Sequence, residues 1–173
     1  MEPDPGAALQ ALIDRNTVID AVTAYAMALD ARDWARFQSL FEEEVEIDYS
    51  SLSGTDAVLS AAAWAGRCRV LGAFDATHHK VSNFVVALEG DRAMVTAYVD
   101  AAHFITRKGR VLAAFACGTY RHHLTRRGEG WRIWRCVFTL TGHPGGRAAF
   151  DEAFALARGV SAPLENPDPR ALR

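Results

Sequence analysis

Ala24-Tyr-Ala-Met-Ala-Leu-Asp-Ala-Arg-Asp-Trp34 is an apolar helical run that carries one carboxylate, Asp30, where the pattern asks for an apolar side chain. A charge buried there loses hydration worth several kcal/mol unless a cation or hydrogen-bond donor compensates it. Histidine is the expected partner, and two candidates follow in the chain: His79, in Thr77-His-His-Lys-Val-Ser-Asn83, and His103, in Tyr98-Val-Asp-Ala-Ala-His103. The alternative is that Asp30 merely begins a turn before Asp33-Trp34.

Upstream, the acidic Met1–Gly6 segment reads as a flexible leader. From Ala7 to Leu29, Leu9, Leu12, Ile13, Ile19, Val22, Ala26 and Leu29 recur at spacings of three and four, which predicts one long amphipathic helix. Downstream, Asp33 is expected to cap a short helix through Trp34, Phe37, Leu40 and Phe41. Val45, Ile47 and Tyr49 alternate with Glu46, Asp48 and Ser50, so this piece reads as a strand whose inward face ends in a phenol. Gly54-Thr55-Asp56 predicts a third helix, with Thr55 as cap and Val58, Leu59, Ala62 and Ala63 on one side.

From Thr77 the period becomes two. Segments 79–88, 93–106, 111–126 and 131–140 are separated by hairpin-length turns, giving a four-strand antiparallel meander. Helices first and strands afterwards argue an α+β domain with a curved sheet folded against its helices. Ala93, Val95, Ala97, Val99, Ala101 and His103 share one face; Leu112, Ala114, Ala116, Gly118 and Tyr120 form the matching run on the next strand. These mostly small residues leave room for a ligand inside a concave sheet, unless large helix side chains fill it. His78, His122, His123 and His143 read as structural or solvated. Asn83, in phase with His79, is a candidate ligand contact.

The chain's 173 residues suit a single domain, 1–173, with a core of its own. A formal charge of -2 with scattered basic residues gives no footprint for nucleic acid or an anionic membrane, so a small, neutral, apolar molecule is the expected partner. Cys68, Cys117 and Cys136 lack CxxC spacing and read as reduced thiols, neighbouring histidines on a strand point to opposite faces, and neither a metal nor any other cofactor is expected. With no signal pattern and no apolar run of about 18 residues, the expected location is cytoplasmic.

The stretch Val22–Trp34, Ile47-Asp-Tyr-Ser50, Thr77-His-His79 and Gly130-Trp-Arg-Ile133 together resemble the SnoaL-like, scytalone dehydratase-like branch of the nuclear transport factor 2-like superfamily, over nearly the whole chain. The resemblance implies a cone-shaped curved antiparallel sheet packed against N-terminal helices, a homotrimer, and catalytic residues at Asp30, His79, His103 and Tyr49. It departs at Leu29, where scytalone dehydratase has a second tyrosine, and that enzyme's polar pair on a later strand falls on Gly118 and Tyr120. Tyr25, Leu29, Asn83, Gly118, Tyr120 and Phe150 are the substrate contacts it suggests. The dehydrochlorinase relatives imply Asp30 paired with His79; scytalone dehydratase implies His103. The implied function is a cofactor-independent lyase, a dehydratase acting on an apolar cyclic hydroxy-carbonyl compound by histidine-assisted proton abstraction. An isomerase, a cyclase or a non-catalytic binder of the same fold are the alternatives. After Gly142-His-Pro-Gly-Gly146, Phe150 and Phe154 one helical turn apart predict a lid helix within 143–158, followed by a tail, 159–173.

Overall fold

In the computed structural model, which describes residues 4–128 and 130–159, helix α1 spans Pro5–Ala31. Asp4 caps it by accepting from the Gly6 amide, and Pro5 sits in the first turn, where its missing N–H costs nothing. Pro5 and Gly6 are therefore helix rather than leader; residues 1–3 lie outside the described ones. No described residue before Val18 is buried, and Leu9, Leu12 and Ile13 are exposed. The apolar pattern of the first three turns thus does not mark a core face, and the packed stripe is Val18, Val22, Tyr25, Ala26, Ala28 and Leu29.

Arg32, in the left-handed conformation, ends α1 by returning its amide to the carbonyls of Ala28 and Leu29, and its guanidinium donates to the Phe74 carbonyl. The short helix α2, Trp34–Ser39, is capped by Asp33 as its sequence predicts. Strand β1 (Phe41–Tyr49) buries Val45, Ile47 and Tyr49. A helical turn, α3 (Ser50–Ser53), then leads to strand β2, Thr55–Ser60, and helix α4, Ala61–Cys68. Here the structure corrects the expected helix from Thr55. Thr55, Ala57 and Leu59 turn inward with a period of two while the segment pairs antiparallel with β1, and the cap is Ser60, which accepts from the Ala63 amide.

After a 3-10 turn, Arg69–Ala73, come β3 (Ala76–Glu89), β4 (Arg92–Arg107), β5 (Arg110–Arg127) and β6 (Gly130–Gly142), then helix α5, Arg147–Arg158. The meander β3–β6 is antiparallel throughout, with Lys108 and Gly109 both at positive φ in the two-residue β4–β5 turn. The last strand lies parallel to β1, which joins the meander to the β1–β2 hairpin in the order β2-β1-β6-β5-β4-β3. The result is an α+β domain in which one six-strand, curved, unclosed sheet wraps α1 on its inner face. The tail beyond residue 159 lies outside the described residues.

Candidate active site

The β3–β4 register places His79 opposite Ala101 and Thr77 opposite His103, so the two histidines are diagonal neighbours on the inner face. Their rings stand 5.2 Å apart, nearly perpendicular. Asp30, in the last turn of α1, meets this pair. Its Oδ1 lies 2.6 Å from His79 Nδ1 and accepts from the Thr77 hydroxyl at 2.8 Å, while Oδ2 accepts from the His79 amide at 2.7 Å. Burial alone would raise the Asp30 carboxyl; the bonds from His79 and Thr77 outweigh it and hold the group below the ordinary carboxylate range.

A carboxylate can only accept from Nδ1, so neutral His79 carries its proton there and keeps Nε2 unprotonated. The Ala114 carbonyl, 3.1 Å from His103 Nδ1, fixes the same tautomer on His103. Asp30 thus pairs with His79, and His103 bonds to the backbone. Burial first, and then the nearby His79, push the His103 pKa down to about 3, so its ring stays neutral.

At the other end of the space, Tyr25 and Tyr49 put their hydroxyls 2.7 Å apart. Burial raises both phenols well above their usual range, so they remain donors. Tyr25 lies one helical turn before Leu29 on the same buried stripe. It places a second phenol beside Tyr49 although position 29 itself is apolar. Tyr120 packs edge-on against the Tyr25 ring at 5.4 Å.

Between the histidines and the phenols lies a cavity of about 340 Å³, lined chiefly by apolar and aromatic side chains. Of the candidate site residues, Tyr25, Leu29, Tyr49, His79, His103, Tyr120 and Phe150 line it. Two anticipated contacts do not. Asn83 is exposed at φ 56°, in a bulge between Ser82 and Val85 that shifts the strand's phase and turns it out of the cavity. Gly118 is a packing position: a Cβ there would stand 2.3 Å from the Thr139 carbonyl oxygen, so its role is the close approach of β6.

Sequence reasoning also missed Trp64 as a contributor. Trp64 lines the cavity with its buried Nε1 lacking a partner among the described residues. Phe154 joins Phe150 above the His103 ring. His122, read from the sequence as structural or solvated, is fully buried behind the phenols, with Nε2 3.2 Å from Cys136 Sγ. Its parity with Tyr120 and Leu124 was the available signal. Among the described residues no three metal-ligating side chains converge, and no helix is long and apolar enough to cross a membrane.

The SnoaL-like domain family matches residues 10–137, and the chain belongs to it. The chain is 30% identical over 128 residues to the uncharacterized protein Rv2910c of Mycobacterium tuberculosis, covering 73% of this chain and 84% of that one. In structure it is similar to the Kfla4162 protein from Kribbella flavida, with a TM-score of 0.74 and 25% identity over 86% of this chain and 99% of that one. A candidate scytalone dehydratase from Novosphingobium aromaticivorans shares the fold with a TM-score of 0.68 and 20% identity, over 78% and 88% of the two chains. The fold is nuclear transport factor 2-like, and its structural neighbours include proteins named as a candidate dehydratase of that family and as a hexachlorocyclohexane dehydrochlorinase.

Proposed function

We propose that this protein is a cofactor-independent lyase, a dehydratase that removes a proton beside a carbonyl of an apolar cyclic hydroxy-carbonyl compound. The observation that carries the reading is the 2.6 Å contact between Asp30 and His79 Nδ1, which in the neutral ring directs Nε2 of a cavity-lining histidine to act as the base. When Nε2 takes the proton, the carboxylate stabilises the imidazolium formed. The electron pair moves from the C–H bond toward the carbonyl oxygen. Of the two hydrogens on Tyr25 and Tyr49, one is shared between the hydroxyls; the other has, among the described residues, only the Cys136 sulfur nearby, 3.9 Å from the Tyr49 hydroxyl, a weak acceptor that a developing oxyanion outcompetes. The enolate then expels its β-hydroxyl, which leaves as water with the proton held by His79. His103, neutral and with Nε2 as an acceptor, suits a hydrogen bond from that hydroxyl before it departs.

An apolar residue at position 29, where scytalone dehydratase has a tyrosine, favours the non-catalytic alternative; Tyr25, one turn earlier, supports the lyase reading by placing a second phenol beside Tyr49. The test is proton exchange with α-tetralone deuterated beside its carbonyl. Loss of deuterium in the wild type, abolished in Asp30→Asn and His79→Gln, is the expected result; binding of the ketone without exchange would refute the reading.

A further inference from the structure

Two cations stand among the cavity's lining side chains: Arg67, in the last turn of α4, and Arg158, the last residue of α5. Both are exposed. Among the described residues neither has a carboxylate within ion-pair distance, whereas Arg147, on the same helix as Arg158, is closed on Asp151 at 2.8 Å. A helix C-terminus favours a cation, which explains one arginine at each end taken singly. It gives no reason for two helices far apart in the chain to bring theirs to one cavity.

Beside the cavity, between α3 and α5, runs a second hollow of about 450 Å³ that shares Leu52, Ser53, Phe150, Phe154 and Arg158 with it. Arg158 therefore stands where the inner and outer spaces meet. Its guanidinium lies 5.9 Å from the Phe154 ring, at the edge of the aromatic wall. A guanidinium at an apolar boundary recognises a carboxylate by paired hydrogen bonds. A whole-chain charge of -2 gives no sign of such a local arrangement.

We propose that the cavity takes an organic acid, its apolar ring body inside and its carboxylate held by Arg67 and Arg158. The inference rests on the same cavity as the lyase reading and adds a carboxylate to its apolar cyclic substrate, in place of the neutral molecule that the whole-chain charge suggests.

The probes are naphthylacetate and its neutral isostere naphthylacetamide, titrated calorimetrically into the full-length wild type and the Arg67→Gln/Arg158→Gln variant. Both positions are exposed, so the variant should fold, and circular dichroism checks this. The expected result is about tenfold tighter binding of the acid than of the amide at low ionic strength, shrinking as salt is added. That preference should vanish in the double variant, with the amide's affinity within about twofold of wild type. Equal affinities in the wild type, including no measurable binding of either probe, overturn the proposal. So does a preference that survives in the variant. Exchange from deuterated α-tetralone, run in parallel on the wild type, separates the two readings. Exchange without an acid preference sinks this inference and leaves the lyase, whereas an acid preference without exchange does the reverse.

Discussion

Asp30 shows how far a single residue can be read. Its misfit in an apolar run predicts a compensating donor, and the structure supplies three bonds from Thr77 and His79. The choice between His79 and His103 was not legible, because it depends on which ring the β3–β4 register brings to the end of α1. With Asp30→Asn the folded cavity should remain, while turnover falls by about 100-fold or more, the usual scale for losing general-base assistance. Near-normal turnover in that variant would remove the pair from the mechanism. Asn83 and Gly118 mark the limit of strict alternation, since a bulge changes the phase of one and backbone crowding defines the other. Gly118→Ala should lower stability to urea by about 2 kcal/mol or more through overpacking against Thr139; an unchanged midpoint would contradict the close approach.

The buried histidines add a pH dependence. Burial pushes both His103 and His122 down to about 3. Between an ordinary histidine value of about 6.5 and that point, the unfolded chain binds protons that the folded chain refuses. Stability is therefore full above roughly pH 6.5 and falls as pH drops, by up to ~1.4 kcal/mol per unit for each ring. The Asp30 contribution has the same sign at lower pH: present above ~3.9 and lost as its depressed folded value is passed. Urea midpoints at successive pH values from neutral to 4.5 check this, and a flat profile would mean the rings are solvated.

At the scale of elements, period and turn chemistry disclose the long helix and the whole meander. They fail at residues 55–60, where Gly54-Thr55-Asp56 imitates a helix start. The local signal loses to pairing with β1, and the true cap comes at Ser60. Helix α5 was legible as a greasy segment needing a place to dock. The structure packs Phe150 and Phe154 over His103 and Phe74, with Ala153 and Ala157 buried. On the proposed lid role, Phe154→Ala should open the cavity and weaken ligand binding by about tenfold, or ~1.4 kcal/mol. The readout is naphthylacetamide affinity beside thermal stability. A variant that loses stability with unchanged affinity would make α5 a structural brace rather than a cover.

For the molecule as a whole, the inner sheet face is spent on α1 and the cavity, which leaves the outer face to account for. There Met94 is 37% and Tyr98 57% exposed, with Val85 at 69% on the neighbouring strand. Scattered surface apolar residues need no explanation, but several close together on one sheet face mark a contact surface. Burying them between copies recovers roughly 25 cal/mol for each Å² of apolar area, and closed symmetry limits how many copies can share the face. The expected state is therefore a homo-oligomer joined through the outer faces of β3 to β6, with the trimer implied by the family resemblance as its form. Light scattering at micromolar concentration should report the multiple, and Tyr98→Lys, which puts a cation into that contact, should shift it toward monomer while leaving the circular dichroism of the fold intact. A wild type that is monomeric throughout, or an oligomer indifferent to Tyr98→Lys, would place the contact elsewhere.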